Sequence, residues 1–454
     1  MVMTIVKSIR SDGLGAFTSP ASWESGAPAN LTTVEKYTFG SFSGALVQGE
    51  TVTEATSGFT AKLLDTDNAT YMILGDKSGA FTSDRTFTGA TSAKTAVITA
   101  PATDTSGCIW QGHCAIATDE FTSASGVLSV GGSTVDATRY KELTAGVAAS
   151  FRDNINVQTN ALRYNAANGV SLRSTGAIAT VTVDENYFRM SKLQIAQTGS
   201  VYAIYSYDVS SGLIEFCIIE AANTTTVARI GNLTILRNNL IVQRATAANR
   251  ICDFIANATI FNCTFLAPDD LATAPAVVLV GQYGVAYTLT NCALFAGNSA
   301  SAIKFGTAFT FNHCYSDISG TSGVTQVPYG DVFENIVDAT RDFRLKTGSP
   351  LIDVGLTDST HAANDIAGTA RPSGSGYDVG CWEFVSGGPP PPPPSGGEIL
   401  AALQVGPVNA RTKGRTVPYA LPRDVGELTA LVTAAPVICQ GFTCQPCSST
   451  GDLI

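Results

Sequence analysis

Carboxylates, histidines and cysteines are the side chains with which this chain could do chemistry. The sequence spreads them thinly: 37 Asp and Glu, three His and 11 Cys in 454 residues. Cleavage of a glycosidic bond needs an acid and a base or nucleophile roughly 5–10 Å apart. Asp253, Asp317, Glu215 and Glu220 stand singly in strand-like segments, and only Asp269 and Asp270 combine adjacency with a protruding loop, just before the apolar run VVLV. They are the candidate catalytic pair, weighed against a solvated corner that needs no function. His113, His313 and His361 fall in unrelated contexts. His313 and Cys314 are neighbours in a strand, where adjacent side chains face opposite ways, which argues against a Cys–His dyad. The sequence has no GxSxG, HExxH or phosphate-loop motif. Cys439, Cys444 and Cys447 have spacing that could hold a metal, but structural zinc takes four ligands and no His lies nearby. Disulfide, metal site and free thiols therefore all stay open for these three. Cys108 and Cys114, around Trp110 and His113, make a second, weaker pair, and no cofactor is expected.

The elements that would position such residues are repeats. A 35-residue repeat aligns GALVQGETVTEATSGFTAKL with GAFTSDRTFTGATSAKTAVI over 44–98, Thr53 on Thr88 and Ala55-Thr56-Ser57 on Ala90-Thr91-Ser92. Its alternation of apolar and polar residues predicts a β module. A longer repeat begins near Met190: MSKLQI, FCIIE, NNLIV, NCTFL, NCALF and NHCYS, centred on Leu193, Cys217, Asn239, Cys263, Cys292 and Cys314. Between copies lie further short strands, AIYSY, VARI, CDFI, VVLV and AIKF. A period of that length, holding two or three strands, predicts the coils of a parallel β-helix, each stacking its inward side chains on the one below. Asn238-Asn239, Asn262, Asn291 and Asn312 recur at one corner, where Asn adopts left-handed angles and bonds along the stack. Most cysteines fall in these strands and are expected to pack as small apolar residues.

Only 14% of the residues are charged and the formal net charge is -10, which excludes a sequence-independent nucleic-acid binder. No apolar stretch approaches the roughly 20 residues of a membrane span, and MVMTIVKSIRSDG lacks the form of a secretory signal, so neither membrane insertion nor export by that route is expected. After Phe384, VSGGPPPPPPSGG reads as a polyproline spacer about 19 Å long at roughly 3.1 Å per residue. The expected organisation is a β-helix opening and cap (1–40), a β module (41–100), a β-rich transition into the helix (101–189), β-helix coils (190–341), a closing cap (342–386), a Gly/Pro linker (387–397) and a docking tail (398–454).

The segments DFRLKTGSPLIDVG (342–355) and DIAGTARPSGSGYDVGCWEF (365–384) resemble the closing segment of right-handed parallel β-helix proteins of the pectate-lyase-like superfamily, with Cys381 where that family usually has Ala. The opening SDGLGAFTSPASWESGAPANLT (11–32) and the 35-residue repeat resemble parts of its bacteriophage members. The resemblance implies an all-β, right-handed parallel β-helix whose closing residues Asp342, Arg371, Asp378 and Glu383 are structural, Arg371 pairing with Asp378 and the Gly residues folding the chain back over the last coil. It also implies a homotrimer on a virion surface, as capsid decoration or as tail spike or fibre, attached to capsid or tail proteins through the N-terminal module or 398–454. A passive role is favoured over catalysis. A tailspike hydrolase or lyase acting on host surface polysaccharide, and a bacterial adhesin, are the alternatives, and a host surface glycan stays open as a partner.

Overall fold

Six successive corners turn through one residue in the left-handed region: Lys192, Phe216, Asn238, Asn262, Asn291 and His313, with φ between 48° and 62°. Asn fills three of them because it tolerates that region better than most L-residues. The residue after each corner, Leu193, Cys217, Asn239, Cys263, Cys292 or Cys314, points inward and has no exposed surface. The expected Asn312 is itself extended, and His313 takes the corner of that coil.

These corners belong to a parallel β-helix. The computed structural model describes residues 2–153, 160–199, 201–206, 211–222, 226–231, 234–245, 250–268, 277–282, 285–297, 302–306, 309–361, 363–386, 407–412 and 415–420. Three parallel sheets of nine, seven and nine strands stack coil on coil. The first runs from Met3–Ile9 to Phe309–Asn312, the second from Leu128–Gly131 to Ala302–Phe305, and the third from Glu120–Ser123 to Val324–Gln326. The AIYSY, VARI, CDFI, VVLV and AIKF segments supply strands of the second sheet. Ile195, Ile219, Ile241, Phe265 and Leu294 sit in register as one inward row of the third sheet.

The stack is longer than the repeat from Met190 indicates. Met3–Ile9 already pairs in parallel with Cys108–Cys114, which pairs with Lys141–Ala145, so 101–189 contains coils rather than a transition. The β module is an insertion between the first two strands of the first sheet. It is a closed antiparallel barrel of Glu35–Phe42, Thr51–Glu54, Thr60–Thr66, Tyr71–Gly75, Arg85–Gly89 and Thr95–Ile98. Its two sequence repeats meet at their equivalent residues, Thr53 opposite Thr88. Ala55 N–H donates to Thr86 O and Ala90 N–H to Thr51 O, so the two copies are related by an approximate two-fold axis. The opening helix Pro20–Gly26 begins with a capping box on Ser19 and Ser22. Trp23 is fully buried, and Glu24 ion-pairs at 2.6 Å with buried Lys141, which also holds Glu185 at 2.9 Å.

The closing segment does not cover the last coil. It lies along the outer face of the third sheet, where Ile218, Leu240, Val242, Leu266 and Phe295 form a second core with Val332, Phe333, Phe343, Leu351, Val379 and Trp382. Those outward residues of the third sheet are apolar, so the sheet needs a cover along its side. In a separate compact unit, Pro392–Ile454, strands Pro407–Thr412 and Arg415–Ala420 pair antiparallel.

Candidate functional site

Asp269, Asp270, Cys439, Cys444 and Cys447 lie outside the described residues. The other singled-out acids are engaged in local structure. Glu215 pairs with Arg237 at 2.5 Å, Asp253 with Arg250 at 3.1 Å, and Asp317 accepts the Ala296 N–H at 3.1 Å. Cys108 and Cys114 end the same strand and both point inward, about 20 Å apart at roughly 3.3 Å per residue, which rules out a bond between them. All eight described cysteines are free and buried. Burial raises the Cys217 and Cys381 thiols to about 12, so neither is a nucleophile at neutral pH.

The closing residues are buried and fall into two sets of contacts, one around Asp342 and one around Arg371, Asp378 and Glu383. Asp342 accepts the Leu162 N–H at 2.9 Å and pairs with Arg344 at 2.5 Å, tying the closing segment to chain 180 residues earlier. Arg371 does not pair with the Asp378 carboxylate. It pairs with Glu383 at 3.4 Å and donates to the carbonyls of Asp378 and Gly380 at 2.9 and 2.8 Å. The Asp378 carboxylate instead accepts the N–H groups of Asp353 and Phe384, at 2.8 and 2.5 Å. Burial pushes Asp378 up to about 6 and Glu383 up to about 7, although hydrogen bonds and Arg371 pull both back.

One open polar site stands out on the same third-sheet face, in the earlier coils of the outward row that continues into the covered Val242, Leu266 and Phe295. Arg173, Ala196 and Glu220 are consecutive outward residues of one register row. With Arg163, Tyr164 and Asn165 on one side, Thr198 beyond them and Arg244 and Arg341 on the other, they line a cleft of about 400 Å³. Both oxygens of Glu220 are occupied, by Arg244 Nη1 at 3.1 Å and Arg341 Nη2 at 2.7 Å. Arg244 also grips Asp338 through Nε at 2.7 Å and Nη2 at 2.9 Å. Arg163 and Arg173 are held loosely by comparison. Arg163 Nη1 reaches the Ala339 carbonyl at 3.3 Å, and Arg173 Nη1 reaches Glu120 at 3.5 Å, an oxygen already bonded to the Tyr164 hydroxyl at 2.8 Å. The Nε–H groups of Arg173 and Arg341 are buried with no acceptor among the described residues.

Sequence reasoning considered Glu220 only as a lone acid and did not see the cleft. Its residues come from chain segments up to about 180 positions apart and share no motif, and the row that joins Arg173 to Glu220 starts in a coil before the visible repeat. Comparison with known proteins finds no matching family model, no matching curated protein and no matching solved structure.

Proposed function

We propose that this chain is a non-enzymatic structural protein of a bacteriophage particle, a β-helical body displayed on the particle surface as capsid decoration or tail-associated spike or fibre. One observation carries the reading. The charged side chains of the stack and its cover tie chain to chain: Asp342 to Leu162, Arg371 to Glu383, Lys141 to Glu24 and Glu185. Such cross-bracing suits a body that must stay rigid. The Gly/Pro spacer and the segment 398–454 are in this reading the attachment to capsid or tail proteins, and the displayed assembly is a homotrimer.

The test is binding of the full-length chain, and of a truncation ending at Gly388, to purified phage capsids and tails. Binding by the full chain and not by the truncation supports an anchored surface protein. Binding of neither form to any particle sinks the reading. Light scattering that returns a single-chain mass at micromolar concentration removes the trimer.

A further inference from the structure

The cleft between Arg163, Arg173, Arg244 and Arg341 carries more cation than its fold requires. In a chain with 27 Lys and Arg against 37 Asp and Glu, four arginines line one cavity in which Glu220 is the only acid among the described lining residues. Adding Asp338 and Glu120 behind the wall leaves four cations facing three carboxylates.

The arginines divide by job. Arg244 and Arg341 are braced by Glu220 and Asp338 and set the floor and one wall. With both oxygens of Glu220 satisfied, its charge is neutralised where it would otherwise repel an anion. Arg163 and Arg173, each about half-buried, have one long hydrogen bond apiece among the described residues, although a guanidinium has five N–H donors. The buried Nε–H groups of Arg173 and Arg341 have no acceptor among the described residues either, and an unpaired buried donor is unfavourable. Donors in surplus, fixed on a sheet and on a cross-braced segment, fit the planar or tetrahedral oxygens of a carboxylate or phosphate. The remaining lining, Tyr164, Asn165 and Thr198, is a rim of hydroxyl and amide groups suited to the hydroxyls of a polyol. A volume of about 400 Å³ admits one sugar-sized ring.

We propose that this cleft binds a polyhydroxylated acid, a carboxylate- or phosphate-bearing ligand of the size of one sugar residue, through the free donors of Arg163 and Arg173 with Arg341 completing the pocket. The inference stands apart from the virion reading and holds wherever the body is attached.

The experiment is calorimetric titration of the full chain at low salt with glucuronate, with glucose 6-phosphate and with glucose. The variants are the double substitution Arg163→Gln with Arg173→Gln and, as a control on the barrel, Arg85→Gln. Both cleft positions keep solvent contact, so the double variant is expected to fold, and its melting curve checks that. Expected is binding of one or both acids with a Kd of about 1 mM or tighter, none of glucose, and at least a roughly ten-fold loss in the double variant but not in the control. Glucuronate alone assigns the carboxylate, and the phosphate ester alone assigns the phosphate. The proposal is overturned if neither acid binds below about 10 mM, if glucose binds as well as the acids, or if a folded double variant binds them unchanged.

Discussion

At the scale of single residues, the inward row Leu193, Cys217, Asn239, Cys263, Cys292, Cys314 shows how one position tolerates three side chains for different reasons. Leu fills volume, and Cys fills a smaller space as a neutral thiol. Asn239 is the exception, a fully buried amide. It remains because its Oδ1 accepts the Cys217 N–H at 2.9 Å and its Nδ2 donates to Ile214 O at 2.8 Å, one coil back. Asn239→Ala should therefore lower stability by about 1–3 kcal/mol, measured by denaturant unfolding, because it orphans a buried donor and an acceptor together. The thiols make a companion prediction: at pH 8 the described cysteines should resist iodoacetamide in the native chain and react on unfolding. Rapid native alkylation of Cys217 or Cys263 would contradict the burial. The Asn and Cys periodicity was legible in the sequence because side chains in stacked coils repeat in phase. The Arg371–Glu383 pair was not, because which of two nearby acids a guanidinium meets depends on turn geometry that spacing does not encode.

At the scale of elements, the barrel shows how a repeat becomes a closed fold. The two Ala-Thr-Ser turns sit at equivalent places, and each has its N–H groups capped by a glutamate. Glu54 accepts from Thr56 and Ser57 at 2.8 and 2.7 Å, and Glu50 accepts from Thr91 and Ser92, both at 2.9 Å. The glutamates are not repeat equivalents. The position matching Glu54 is Gly89, where a Cβ would come within 2.5 Å of the Glu50 carboxylate, so the missing side chain makes room for the substitute cap. Glu50→Ala should cost roughly 2–3 kcal/mol locally and speed amide exchange at Thr91 and Ser92 by about 30- to 100-fold, with less effect at Thr56 and Ser57. The closing segment yields a pH prediction. Asp378 and Glu383 have folded values, about 6 and about 7, above the ordinary carboxyl range. Their contribution is thus fully present below about pH 4 and is lost as pH rises through 6 and 7. The melting temperature should fall from pH 5 to pH 8, and Asp378→Asn should flatten that fall, by an amount that corresponds to at most roughly 3 kcal/mol. An unchanged slope in the variant would assign the pH dependence elsewhere. Strand identity in the later coils was legible from alternation. The coils within 101–189 were hidden because the barrel interrupts the first sheet between Ile9 and Cys108.

At the scale of the whole chain, the outer face of the third sheet organises the main body. One outward row runs Arg173, Ala196, Glu220, Val242, Leu266, Phe295 through successive coils: its apolar later half, with Leu240 beside it, is covered by the chain's own closing segment, and its polar earlier half is left open as a cleft. The division follows from residue type alone: apolar outward residues must be removed from water, and arginines already supplied with partial partners need not be. The cover was legible as a motif, but its place was not, because a closing sequence looks the same whether it folds over an end or along a side. The placement leads to a prediction for the truncation at Gly388. Among the described residues, the contacts that hold the cover, including Asp342 to Leu162 and Arg341 to Glu220, are made by residues before the spacer. The chain ending at Gly388 should thus keep the melting temperature of the β-helical transition within about 2 °C of the full chain, since a shift of 1 kcal/mol moves large domains by only about 2–4 °C. Removal of the cover itself, by ending the chain at Asn335, should expose the second core and produce aggregation or loss of the transition. If the Gly388 truncation lost the transition instead, residues beyond the spacer would be part of what stabilises the stack, and their role would be structural support rather than attachment.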